Sequence, residues 1–300
     1  MIKEHIRTVT VQGVAYTYRV LQPSTPTVEP VILLGGVLEG MHDWAYLEGT
    51  VLPRASLVTV DLPGLRSTAF QGADRDDVDT LCVGLEGIIE DLGAPRVNLY
   101  GYSLGAAVSF QYAQRRPERV ARLLIGGVPD QVTEELVAHL RRATDRARAG
   151  DADGFAALMA ERLLCLDESH SVHRRELTLG YLQRFMRNAA RTPHKVDLLA
   201  TALTSRHHPL TGGLTGVPTM VFTGEHDHLH PLERQHAFNA TIDDSRFVTF
   251  PDCDHMLPLQ RPEAVTSLVA SFLMQEPTAG SSDIADPLPV NGRRAGTRPA

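Results

Sequence analysis

Cysteine is scarce: three in 300 residues, Cys82, Cys165 and Cys253, far apart and odd in number. That argues against a disulfide scaffold and predicts reduced, mostly buried thiols in a cytoplasmic protein. Basic runs are missing too. With a net charge of -7 and a pI near 6.0, no Lys/Arg stripe offers a footprint for nucleic acid. No apolar run approaches the roughly 20 residues that span a bilayer. The opening stretch, MIKEHIRTVTVQG, has neither an apolar h-region nor a small-residue cleavage site, so no export signal is expected. A fixed-period repeat is also absent, which sets aside solenoids.

The remainder is ordinary globular composition, 43% hydrophobic and 22% charged, enough for a large core in one or two domains. Residues 5 to 21 alternate through Val9, Val11, Val14, Tyr16, Tyr18 and Val20 about Gly13, which predicts an antiparallel hairpin. Six short apolar runs follow: PVILLGG (30–36), SLVTVDLPG (56–64), VNLYGYS (97–103), RLLIGG (122–127), TMVFTGE (219–225) and RFVTFPD (246–252). They suit strands buried on both faces, and most are separated by helical segments, so an α/β fold with a parallel sheet is expected. About 90 residues between RLLIGG and TMVFTGE carry helical spacing instead. This predicts a helical insertion above the sheet, with its last helix, KVDLLATALTS, returning to the core. From Glu276 the chain turns to Pro, Gly, Ser and charge, which predicts a disordered tail over 276–300.

Between strand VNLY and the amphipathic stretch AAVSFQYAQRRPERV lies Gly101-Tyr102-Ser103-Leu104-Gly105. Gly-x-Ser-x-Gly in that context suits a tight strand-to-helix turn that exposes a serine nucleophile; the alternative is a plain turn. A serine hydroxyl needs a general base, and the base needs an orienting carboxylate. His255 lies in the loop after the last predicted strand, and Asp227 lies just past the strand before it. Glu225 is a rival to Asp227 but sits closer to the strand. Asp254 adjoins His255, but neighbouring residues point apart, so it is not expected to orient the ring.

GYSLG, DLPG, GEHDHLHP and CDHMLPLQRPE together resemble the α/β-hydrolase superfamily over about residues 5 to 275. The resemblance implies an eight-stranded, mostly parallel sheet flanked by helices, with a helical cap inserted after strand 6. The core would be 1–130 and 192–275, the cap 131–191. It implies that Ser103 attacks, His255 is base and then acid, and Asp227 holds the imidazolium. Relatives carry His-Gly after the third strand, where this chain has Gly35 and Gly36. By that alignment the backbone N–H groups of Val37 and Leu104 form the oxyanion hole, and Gly36, Leu38 and Tyr102 adjoin the substrate. DLPGLRST places Leu65 and Arg66 where many relatives have His-Gly, and Arg66 is read as a solvated loop residue. Glu39 faces either the pocket or solvent.

A serine at the elbow implies acyl transfer. The leading expectation is a hydrolase of a small carboxylic ester, lactone or thioester, a carrier-bound or CoA thioester included. An acyltransferase, a carbon–carbon bond hydrolase and a cofactor-free haloperoxidase share the triad. A ligand-binding receptor with a vestigial triad is the non-enzyme alternative. No cofactor is expected. The histidines of EHDHLH are read as structural, because one loop gives a metal few ligands. Phe155, Met159, Leu163, Tyr181, Phe185 and Met186 recur at helical spacing, some expected to face the interior of the cap and some its ligand.

Overall fold

The computed structural model describes residues 1–36, 39–61, 78–193, 195–196, 210 and 212–275. Val37, Leu38, Leu65, Arg66, the expected returning helix beyond Val196 and the 276–300 tail lie outside the described residues. The chain opens with β1 (Lys3–Val11) and β2 (Val14–Gln22), paired antiparallel. Gln12 and Gly13 join them with φ of 50° and 78°. Positive φ at both turn positions matches the right-handed twist of a hairpin. On β2 Val14, Tyr16, Tyr18 and Val20 face inward, as the alternation predicts.

Then come β3 (Val31–Leu34), α1 (Ala45–Val51), β4 (Leu57–Asp61), α2 (Val78–Asp91), β5 (Val97–Tyr102), α3 (Leu104–Arg115) and β6 (Val120–Gly126). After β7 (Thr219–Gly224) come α7 (Leu232–Asn239), β8 (Ser245–Phe250), α8 (Leu257–Gln260) and α9 (Pro262–Leu268). The eight strands form one sheet in the order β1-β2-β4-β3-β5-β6-β7-β8. Pairing is parallel from β4 through β8 and antiparallel where β2 meets β1 and β4. Strands β3, β4, β5 and β7 are buried at every position, because helices cover both faces. One apolar cluster unites α2, α3 and α7 with the sheet; a second unites α1 and α9 with the opposite face. The order reverses at β4-β3-β5, the kind of switch point at the carboxyl ends of the strands where open α/β sheets place their ligands.

Between β6 and β7 the chain builds α4 (Glu134–Arg148), α5 (Ala152–Leu163) and α6 (Arg175–Ala190). Thr133 Oγ1 caps α4 by accepting from the Leu136 N–H, and Asp151 caps α5 by accepting from the Gly154 N–H. Leu140, Phe155, Met159, Leu182 and Met186 pack into a third apolar cluster of their own. Tyr181 is 42% exposed and stacks on Phe185, which itself packs against that cluster from its edge. Among the described residues no helix is long and apolar enough to cross a membrane. All three cysteines are free and buried.

Candidate active site

β5 ends in the elbow. Ser103 is held at φ 52°, ψ -118°, a backbone state that costs a non-glycine residue about 1–3 kcal/mol. The turn exists only because its flanks lack side chains. A Cβ on Gly105 would lie 2.0 Å from the Leu34 carbonyl oxygen, and one on Gly101 would lie 2.4 Å from the Gly105 oxygen. The Ser103 N–H donates to the Gly126 oxygen at 3.0 Å, and the Gly105 N–H to the Gly35 oxygen at 3.0 Å. These bonds tie the elbow to β6 and to the loop after β3. Leu104 opens α3, so its N–H has no acceptor within the helix.

Residues from three strand ends converge on the serine. His255 Nε2 stands 3.3 Å from Ser103 Oγ, and His255 Nδ1 stands 2.9 Å from Asp227 Oδ2. Asp227 Oδ1 accepts the His230 N–H at 2.9 Å. Burial works against charge on Asp227, but His255 and then His230 together more than offset this and hold the carboxyl below its usual range. Burial also works against an imidazolium at His255, yet Asp227 raises that ring above its ordinary value, with Asp254 and Glu39 adding to the effect. Glu225 is turned elsewhere and accepts the Asp252 N–H at 3.3 Å.

Three side chains around the triad take positions that the sequence pattern does not specify. Tyr102 was expected beside the substrate. Its ring instead packs between Phe222 and His255, and its hydroxyl donates to the His255 carbonyl at 2.7 Å. A buried phenol needs an acceptor, and this one lies behind the histidine. Glu39 folds back so that Oε2 accepts the Gly36 N–H at 2.6 Å. Burial raises its carboxyl above the usual range, against the pull of that N–H. His230, 4% exposed, packs edge-on against His255 with ring centres 5.2 Å apart. Burial lowers its pKa to about 3, so it is neutral beside the pair.

Gly36 adjoins the elbow: a Cβ there would stand 3.6 Å from the Ser103 Cβ. The EHDHLH histidines diverge. His226 meets the His170 ring, His228 Nε2 approaches the Glu161 carbonyl at 3.1 Å, and His230 turns inward. Among the described residues no three His, Cys, Asp or Glu side chains are grouped to hold a metal ion.

The family described as alpha/beta hydrolase fold matches residues 29–262. The chain belongs to that family. This hydrolase-family chain is 27% identical over 269 residues to 2-hydroxy-6-oxo-2,4-heptadienoate hydrolase of Pseudomonas putida, covering 82% of this chain and 90% of that one. It is 23% identical over 265 residues to a putative 2-succinyl-6-hydroxy-2,4-cyclohexadiene-1-carboxylate synthase of Bacillus subtilis, covering 85% and 94%. An alpha/beta hydrolase from a Medee basin deep-sea metagenome library shares its fold with a TM-score of 0.77 at 16% identity, covering 92% of this chain and 100% of that one.

Proposed function

We propose that the chain is a serine hydrolase that works through an acyl-enzyme on a small carboxylic ester, lactone or thioester. The carrying observation is the continuous array Ser103 Oγ, His255 Nε2, His255 Nδ1, Asp227 Oδ2 on a strained elbow. In this reading His255 takes the Ser103 proton as the oxygen attacks the carbonyl carbon. Asp227, kept ionised, holds the ring and steadies the imidazolium. His255 then gives the proton to the departing oxygen or sulfur. Water repeats the sequence on the acyl-serine and frees the acid. The Leu104 and Val37 N–H groups receive the oxyanion. The helices between β6 and β7, residues 131–191, act as a cap that excludes water and shapes the acyl pocket.

A second reading has one observation behind it. The 27% identical relative is named for hydrolysing a 2-hydroxy-6-oxo-dienoate. Such a molecule carries no ester, so water must divide it at a carbon–carbon bond beside the 6-oxo group. The same serine chemistry would then expel a carbon leaving group, with a proton delivered to carbon.

Parallel assays separate the two: release of a nitrophenol from short-chain esters, and loss of the dienol absorbance from a 2-hydroxy-6-oxo-dienoate. Ester turnover that Ser103→Ala abolishes supports the first reading, with fluorophosphonate labelling confined to Ser103. Turnover and labelling that survive the substitution overturn both.

A further inference from the structure

Asp254 adjoins His255 in sequence, yet its carboxylate turns the other way. It is 1% exposed and makes three hydrogen bonds. Oδ1 accepts the Met256 N–H at 2.9 Å and Gln260 Nε2 at 2.8 Å; Oδ2 accepts the Cys165 N–H at 3.0 Å. The Asp254 N–H in turn donates to Gln260 Oε1 at 2.9 Å, which closes a ring between the two residues. Cys165 lies two residues beyond the end of α5, so a backbone group of the inserted helices is bonded to the residue that precedes His255. A second tie runs alongside, from the His173 N–H to the Asp252 carbonyl at 2.7 Å.

A buried carboxylate held only by neutral donors is an expensive way to fill space. Its chemical advantage here is acceptors on both oxygens. An amide would put an NH₂ group against either Cys165 N–H or the donors on Oδ1. The His255 loop is gripped from the other sides by Tyr102, at the His255 carbonyl, and by Asp227, at the ring. Asp254 is the side chain of this loop that bonds across to the insertion, beside the backbone tie from His173 to Asp252.

We propose that Asp254 is a positioning residue: it fixes the main chain that carries His255 and fastens it to the segment after α5, so that imidazole geometry depends on docking of the inserted helices. This rests on His255 being the base. Asp254 touches no reacting atom and acts through the histidine.

Asp254→Asn tests it with the full chain. Three readouts are taken: amide hydrogen exchange at Cys165, kcat and KM for a nitrophenyl ester per fluorophosphonate-titrated site, and the pH profile of the labelling rate. Exchange at Cys165 is expected to quicken. A misplaced base is expected to lower kcat on the order of 10- to 100-fold, with KM little changed. The groups around the His255 ring are Asp227, Glu39, His230 and Tyr102, besides Asp254 itself. Removing the Asp254 charge makes the imidazolium easier to deprotonate, so the acid limb moves to lower pH. Cys165→Pro removes the donor without touching Asp254. Leu164, at φ -118° and ψ 143°, already has the extended form that precedes proline. Measured against Cys165→Ala, which keeps the N–H, it is expected to lower kcat without moving the limb, and it carries the test if Asp254→Asn fails to fold. Unchanged kcat per site, or a lowered kcat with unchanged Cys165 exchange, overturns the proposal. The exchange readout needs no turnover, so a failure of the serine-hydrolase reading shows separately, as labelling or turnover that survives Ser103→Ala.

Discussion

Ser103 carries its strained backbone at the one point where three loops meet, and the side chains around it divide the work by distance. Asp227 reaches His255 because it lies three residues past β7, where the chain has turned; Glu225 is still leaving the strand and bonds the Asp252 N–H instead. Asp227→Asn is therefore expected to lower turnover on the order of 10⁴-fold by favouring the wrong imidazole tautomer. Glu225→Gln should stay close to wild type; the reverse ranking would transfer the role. His255 must be neutral to act as a base. On the proposed mechanism its raised pKa is expected to place the acid limb of kcat/KM above the ordinary histidine value, read from a kcat/KM profile. Glu39 contributes to that shift from the loop after β3. Glu39→Gln should move the limb to lower pH, read from a kcat/KM profile, while keeping an acceptor for the Gly36 N–H.

Helices α4, α5 and α6 have an interior of their own, and the side chains within them fall into two groups. Phe155, fully buried, belongs to that interior. Phe155→Ala should destabilise by about 3–5 kcal/mol, seen as a lower urea midpoint, with substrate preference unaltered. Tyr181 stands on the exposed side of Phe185, which packs against the cluster, and lies within electrostatic reach of Asp43 and Glu39 in the stretch after β3. Tyr181→Ala should change the preferred acyl-chain length and leave Ser103 labelling by a small fluorophosphonate intact. Equal chain-length profiles for the variant and wild type would remove α6 from the substrate pocket. Hydrogen exchange should find these helices opening more readily than β5, since few of their contacts reach the sheet.

For the molecule as a whole, acid is the revealing stress. His230 has a folded pKa of about 3 against 6.5 for an ordinary histidine. Its contribution to stability is complete above about 6.5 and is lost progressively as pH falls toward 3, because the unfolded chain binds the proton first. His255 runs the other way: its raised value favours the fold below about 6.5 and that advantage fades as pH rises through the folded pKa. Asp227 adds stability above the ordinary carboxyl range and loses it as pH falls through its depressed value. Urea midpoints at pH 7 and pH 5 should differ more for the wild type than for His230→Leu. Equal differences would mean that the His230 ring titrates normally. Reducing agent should leave the midpoint unchanged, since all three thiols are free.

Much of this was written locally. The apolar runs specify buried strands, and the Gln12-Gly13 turn specifies the hairpin. The glycines flanking Ser103 specify the elbow, because each of these depends on a few adjacent residues and their allowed backbone states. The order Ser103, Asp227, His255 follows from which strand each loop succeeds. Tertiary structure decided the rest. Tyr102 turns behind the histidine, Glu39 folds onto Gly36, His230 packs against His255, and Asp254 reaches Cys165, 89 residues away. No periodicity encodes these choices. Each is a buried polar group whose partner is set by the packing of separate elements, and only the assembled fold fixes which donor or acceptor lies within reach.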